Sequence, residues 1–489
     1  MIPLIERSRQ FTDNIAIIDD SGNYNYGNLL EAATTLARNI LDQAGSAPGP
    51  VLYLMPSGYQ YVVTQWAIWL SGGIAVPVHT AHTAEEIRYL LADTGARLLI
   101  YDSNFETLAL ESNRQQPVAV AYTALETAAA ASPLPDVAPP ADALMIYTSG
   151  TTGKPKGVVM SHEQIATQLE SLTQAWGWTS ADRILNVLPM HHVHGVINIT
   201  CCALYNGAAC EMRSGFDAAY VAGRLGSGAL SLFMAVPTVY HKLIQYFDQL
   251  PQQQQQSWQQ GMQAMRLMVS GSAALPLSVL ERWRQISGHT LLERYGMTET
   301  GMILSNPLQG LRKPGYVGLP LPFVQIRIVD EQEAEIQAPG IPGELQVCGP
   351  TVFRRYWQKE EATRKAFSGK WFRTGDIVEF DADGDYRILG RSSSDIIKSG
   401  GYKISALEIE NEILECNGVK ECAVVALPSE EWGEVIAAAF TGTATVDTVK
   451  EWLSNRLAAY KTPRRWIVAD SLPRNAMGKL LKSEIRNLF

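Results

Sequence analysis

Short apolar runs at 15–19, 51–54, 72–78, 98–101 and 143–147 read as buried strands. Between them, apolar residues recur at helical spacing over 29–41, 59–69 and 84–94. Residues 24–26 return as a strand beside 15–19 across the turn Ser21-Gly22-Asn23. Strands that alternate with helices predict parallel sheet covered on both faces. The Ala- and Pro-rich stretch 128–140 reads as a linker, because its prolines stop the helix that 123–131 would otherwise favour. The polar stretch 252–260 reads as the exposed end of a helix without function.

The pattern then changes. Strands are expected at 185–190, closing at Pro189, and at 267–269. Leu291 and Leu292 end another, with Arg294, Tyr295, Thr298 and Glu299 crowded into the turn after it. The ends of strands in open α/β sheets are where ligands bind. Residues 343–349 and 354–357 look β-rich. The small polar segment Ser392-Ser393-Ser394-Asp395 lacks an apolar anchor and marks a boundary. Beyond it, helices at 406–414 and 449–457 and strands at 423–427 and 435–440 form a small α+β module. The expected architecture is α/β. Residues 1–390 form a large N-terminal domain of mixed and parallel sheets with flanking helices and a β-rich subdomain. Residues 391–489 form a small, mobile α+β C-terminal domain, hinged near 391–395.

Length and composition narrow the class. The chain has 489 residues, 46% hydrophobic and 18% charged, enough for two sizeable cores. A formal charge of -9 gives no global attraction to nucleic acid or anionic membrane, so neither is expected as a partner. The six cysteines include no C-x-x-C and suggest a reduced compartment. The start MIPLIERSRQF lacks a signal-peptide pattern, and no apolar run is long enough for a membrane span. A cytoplasmic location is the expectation.

The stretch YTSGTTGKPKGV, 147–158, cannot pack as core. Its glycines let backbone approach a ligand, and its N–H groups can form an anion-binding concavity. Thr148, Ser149, Thr151 and Thr152 add hydroxyl donors around Gly150, and Lys156 adds charge. A Walker loop would place Ser or Thr after the lysine to hold Mg²⁺, but Pro155 follows Lys154. Ser161 with Gln164 three residues on is a capping-box start for the next helix. His191, His192 and His194 invite a metal reading, yet no Cys or carboxylate sits at zinc spacing. Pocket lining is the preferred reading for them.

The loop ending in P-K-G, together with SGSAALP, RYGMTET, WFRTGD, GR followed by SGGYKIS, and PRNAMGKL, resembles the adenylate-forming superfamily. That superfamily comprises acyl-CoA synthetases, peptide-synthetase adenylation domains and luciferases. The motifs occur in order over nearly the whole chain. The resemblance implies that Ser272 and Ala273 border the nucleotide, and that Tyr295, with Gly296 and Met297 beside it, stacks on adenine. It implies that Thr298 contacts the α-phosphate, that Glu299 helps hold Mg²⁺, that Asp376 binds the ribose hydroxyls and that Arg391 supports ribose or phosphate. It further implies that Lys479 drives adenylation and that Gly400 and Gly401 reach the pantetheine tunnel. ATP, Mg²⁺ and CoA as co-substrate follow from it. These residue types suit attack of a carboxylate on the α-phosphorus of ATP, where cations and donors must meet developing charge.

LPMHHVHGV, RLMVSGSAALP and LLERYGMTE look like malonyl-CoA and methylmalonyl-CoA synthetases. In that subfamily the residues corresponding to Arg294, His194 and Ser272 bind the distal carboxylate, and Met302 is a candidate for the wall near C2. A diacid has one carboxylate to activate and one to anchor, and bidentate arginine suits the anchor. Pairing of Arg294 with Glu293 or another acid is the competing structural reading. Two other functions stay open at this point: the same fold acting on another short acid or another acceptor, such as a carrier protein or an amine, and a non-catalytic nucleotide-binding module.

Overall fold

The computed structural model describes residues 1–489 except 46–47, 114–117, 129, 149–153, 393–394, 400–401, 430, 455 and 475–479. Among the described residues, strands assemble into sheets of nine, seven, five and five.

The nine-stranded sheet has a parallel centre: Ala209–Met212, Arg183–Asn186, Leu232–Ala235, Leu267–Ser270 and Leu292–Met297. Arg183–Asn186 has its successor Ala209–Met212 on one side and the later Leu232–Ala235 on the other. Such a reversal opens a crevice at the carboxyl ends of the strands. The segment 188–194 leaves from that end. The expected strand at 185–190 is shorter, because the Asn186 Oδ1 accepts the Leu188 N–H at 2.9 Å and turns the chain. His194 does not end a strand. It begins a wide helical turn, His194–Cys201, continued by Cys202–Tyr205.

The seven-stranded sheet carries the parallel strands Asp142–Thr148, Ile74–Pro77, Pro50–Leu54, Leu98–Tyr101 and Val118–Ala121. Antiparallel to Asp142–Thr148 runs Lys156–Ser161, so the Gly/Thr-rich loop joins two buried strands as expected. The Ser161–Gln164 capping box forms and starts the helix His162–Trp176. The helix at 84–94 has the expected bounds, set by the Thr83–Glu86 capping box and a left-handed Gly95. The polar 252–260 stretch forms most of a complete helix, Gln252–Met262, because Trp258 and Met262 reach the core.

A third, antiparallel sheet contains Gly343–Cys348, Trp371–Phe380 and Tyr386–Arg391. The fourth is built from Ile396–Ser399, Tyr402–Ser405, Val419–Ser429, Gly433–Gly442 and Arg465–Val468. It has its own cores, one around Ile397, Ile409, Val424 and Phe440 and another around Val425, Leu472 and Ile485. In the larger part of the chain Trp66, Trp69, Trp176 and Trp283 are fully buried. Burial of each such side chain stabilises by roughly 2–3 kcal/mol.

Candidate active site

The strand Leu292–Met297 runs five residues past the last apolar position of the expected strand, Leu292, and through Arg294 and Tyr295, which were expected in a turn. It does so because Gly301–Ser305 folds back on it, pairing Arg294 with Ser305 and Met297 with Gly301. The turn itself is Thr298–Thr300. Side chains alternate along a strand, so Arg294 and Glu293 leave on opposite faces. Glu293 accepts the Gly315 N–H at 2.9 Å, and burial pushes its pKa up to about 7. It is not a partner of Arg294.

Arg294 is 4% exposed, and burial pulls its pKa down to about 10. Among the described residues no carboxylate lies within ion-pair distance of it. Its Nη2 donates to Ser272 Oγ at 3.4 Å, and Ser272 Oγ lies 3.2 Å from Nδ1 of His194. Among the described residues, the Nε of Arg294 and the Nε2 of His194 are buried without a hydrogen-bond partner. Burial, then the neighbouring guanidinium, hold His194 well below its ordinary pKa, so its imidazole is neutral. A buried cation without a counter-charge is costly, and breaking a buried pair typically costs about 3–5 kcal/mol. An anionic ligand removes that penalty.

Local backbone builds this corner. A β-carbon on Gly271 would collide with the guanidinium, so only glycine leaves room for it. Ser272 follows in the left-handed region at φ 68°, unusual for a residue with a side chain. Ser272 and Ala273 are exposed, so the corner opens at that rim. Met302 is buried, with its methyl against Gly296, and its N–H donates to Gln168 Oε1 at 2.7 Å.

On the other face, the Tyr295 hydroxyl donates to Oδ2 of Asp376. Oδ1 of Asp376 meets Nε of Arg391 at 3.0 Å. Asp376 and Arg391 face each other across neighbouring strands. Thus Tyr295, Asp376 and Arg391, far apart in sequence, form one cluster. Glu299 is buried, and burial raises its pKa. Its Oε1 accepts the Tyr356 hydroxyl at 3.0 Å. The Nζ of Lys156 stands 5.2 Å from the Tyr356 ring centroid, so the end of the Gly/Thr-rich loop approaches Glu299. Thr148 pairs with Lys156 where that loop is rooted, and Thr298 is half-buried in the turn before Glu299. Ser149, Gly150, Thr151, Thr152, Gly400, Gly401 and Lys479 lie outside the described residues.

Sequence reasoning missed Tyr356, Gly271 and Gln168. Tyr356 carries no local signal, since its role depends on a strand that joins the distant Lys156–Ser161 edge. Gly271 could have been found as the residue beside Ser272 for which a side chain would be in the way. His191 packs 4.1 Å from His79 and 4.0 Å from His192, ring centroid to centroid. Among the described residues only Asp381, Asp383 and Asp385 gather carboxylates as a cation site would. The Lys313 ammonium lies 2.7 Å from each and serves as the cation there.

Residues 4–357 match the AMP-binding enzyme family, and residues 408–479 match the AMP-binding enzyme C-terminal domain. The chain belongs to the AMP-binding enzyme family. Within that family it is 40% identical to the mitochondrial malonate–CoA ligase of Homo sapiens, over 100% of this chain and 92% of the relative. Among solved structures it is similar to ATP-bound MatB from Rhodopseudomonas palustris, at 31% identity and TM-score 0.91, covering 100% of this chain and 99% of that one. It is also similar to o-succinylbenzoate CoA synthetase from Bacillus subtilis in complex with ATP and magnesium, at 27% identity and TM-score 0.88, covering 99% of each. Among the described residues no helix is long and apolar enough to cross a membrane. The cytoplasmic expectation is carried no further, because the human relative is named as mitochondrial.

Proposed function

We propose that this chain is an AMP-forming malonate–CoA ligase. It converts malonate and ATP to malonyl-AMP and pyrophosphate, then transfers the acyl group to the thiol of CoA. The observation that carries the choice of acid is the buried Arg294, which has Ser272 and His194 beside it and no acidic partner among the described residues. The human relative, named a malonate–CoA ligase, supports the same reading, and the Rhodopseudomonas relative, solved with ATP bound, supports ATP as the co-substrate.

In this reading the distal carboxylate of malonate lies on the Arg294 guanidinium, with Ser272 and neutral His194 as further partners. Arginine provides donors in a planar fork that matches a carboxylate. The near carboxylate is thereby held for in-line attack on the α-phosphorus, a gain in orientation rather than in chemical activation. Tyr295 provides the surface for adenine, and its hydroxyl keeps Asp376 turned toward the ribose. Thr148, Lys156 and the loop between them receive the phosphates, and Thr298 donates to the α-phosphate.

Glu299 is one buried carboxylate without an ion-pair partner among the described residues, and it faces the loop end at Lys156. That fits Mg²⁺, which is commonly held by one or two carboxylates together with substrate phosphates and water. Glu299 would hold the ion, and the ion would offset phosphate charge. The Tyr356 hydroxyl orients that carboxylate. Lys479 delivers a point charge to the reacting carboxylate and phosphate, and Gly400 and Gly401 admit the pantetheine arm. The segment 391–395 is the pivot between the two half-reactions.

A pyrophosphate-release screen tests the assignment, run over short mono- and dicarboxylates with and without CoA. Malonate should be preferred, with methylmalonate as the next comparison, and malonyl-CoA should appear when CoA is present. Preference for another acid, such as an aryl carboxylate, would leave a ligase of different specificity. Product formation only with an amine or a carrier protein would replace CoA as acceptor. Absence of ATP–pyrophosphate exchange with every acid would reduce the chain to a nucleotide-binding module.

A further inference from the structure

Lys482 is the first residue of the short helix Lys482–Arg486. It stands three positions after Lys479 in the sequence. Its side chain is only 15% exposed. The ammonium meets Asp395 Oδ1 at 2.6 Å and Glu410 Oε1 at 2.8 Å. The same Glu410 oxygen accepts the Val424 N–H at 2.7 Å, which fastens the group to the fourth sheet.

Asp395 is tied in turn to the boundary. Its Oδ2 accepts the Arg391 N–H at 3.0 Å, and its own N–H donates to the Arg391 carbonyl at 2.8 Å. Its carbonyl accepts the Ala406 N–H at 2.7 Å. A β-carbon on Gly390 would fall 2.5 Å from that of Asp395, so glycine permits the close approach. Arg391 then reaches Asp376, and Asp376 reaches Tyr295. One chain of polar contacts therefore runs from Tyr295 across the boundary to Lys482.

At the other end, Lys482 stands at the root of the segment that carries Lys479. Arg474 pairs with Leu480 as an antiparallel bridge, and the Leu481 N–H donates to the Pro473 carbonyl at 2.9 Å. Leu472 and Ile485 anchor both sides of this root in the core. The residues 475–479 are bounded by these contacts.

We propose that Lys482 is a positioning residue for the adenylation half-reaction: by gripping Asp395 and Glu410 together, it sets the root of the Lys479 segment relative to the Arg391–Asp376 pair. This rests on the reading that Lys479 drives adenylation. A short tether of this kind controls where the lysine charge arrives. It touches no substrate, so it should affect turnover rather than affinity.

The test uses the full chain and two assays. ATP–pyrophosphate exchange with malonate reads adenylation, and thioester formation from supplied malonyl-AMP and CoA reads transfer. Lys482→Met alone would leave two buried carboxylates facing each other, so Lys482→Met with Glu410→Gln is the main variant, which keeps the summed charge of the cluster. Its exchange kcat should fall by about 10-fold or more, since small misplacements of reacting groups are costly. The KM values for ATP and malonate, and the transfer rate, should stay within about threefold, because none of their contacts has changed. Lys482→Arg should recover most of the exchange rate. An unchanged exchange rate would overturn the proposal. So would equal loss in both assays without recovery by arginine, which would mean fold support alone. Lys479→Ala separates the two readings: retained exchange there removes the adenylating role of Lys479 itself, whereas lost exchange beside a normal Lys482 variant removes only the role of Lys482.

Discussion

A β-carbon on Gly271 would lie 2.5 Å from Cζ of Arg294, so the backbone of the first residue is the wall against which the guanidinium of the second rests. No side chain other than hydrogen leaves the arginine where it is. Gly271→Ala should therefore displace Arg294 from Ser272 and His194. Malonate kcat/KM is expected to fall by about 100-fold, the size of effect that a misplacement near 1 Å produces. The KM for ATP should change much less. Steady-state kinetics with each substrate varied in turn checks this. Loss of ATP affinity in equal measure would mean that the substitution damages the whole cleft.

Asp376 links Tyr295 to Arg391, and all three are brought together only by the fold. In Asp376→Asn the charge opposite Arg391 is lost while the shape stays. A hydrogen bond to a charged group contributes about 1.5–3 kcal/mol, so the KM for ATP should rise roughly 10- to 100-fold. The KM for malonate should hold within about threefold if the two pockets act separately. Parallel loss of both would contradict the separation.

Glu293 gives a stability prediction with a definite sign. Burial raises its folded pKa to about 7, above the ordinary value of 4.5. The folded state therefore holds a proton that the unfolded state releases between these values. The stability this contributes is complete below pH 4.5 and is lost as pH rises through about 7. Glu293→Gln keeps an acceptor for the Gly315 N–H and removes the ionisation. It should raise stability at pH 8 by up to about 3 kcal/mol, at 1.36 kcal/mol per pKa unit. Urea unfolding at pH 5 and pH 8 measures it. A gain equal at both pH values would place the effect elsewhere.

Much of the scaffold was legible because its signals are local. The Thr83–Glu86 and Ser161–Gln164 capping boxes mark two helix starts within a few residues, and a glycine ends each helix. The Gly/Thr-rich loop was recognisable because both flanks are apolar. What escaped depends on distant pairing. Arg294 and Tyr295 looked like turn residues because apolar sequence stops at Leu292, yet Gly301–Ser305 extends the strand through them. The strand expected to close at Pro189 already ends at Asn186, and a helix begins at His194 where local pattern gave only histidines and glycine. The Tyr356–Glu299 contact spans 57 residues and has no short-range signature. The pairing of Arg294 with Glu293, conceivable from adjacency, is excluded by strand alternation alone.

The most direct test of the account is the ratio of kcat/KM for malonate to that for acetate, measured in the wild type and in Arg294→Ala. If the guanidinium holds the distal carboxylate, the ratio should fall by about 100-fold or more, since a charge-assisted contact of roughly 3 kcal/mol is lost for malonate only. An unchanged ratio, with both acids losing equally, would contradict the account and leave Arg294 a structural residue.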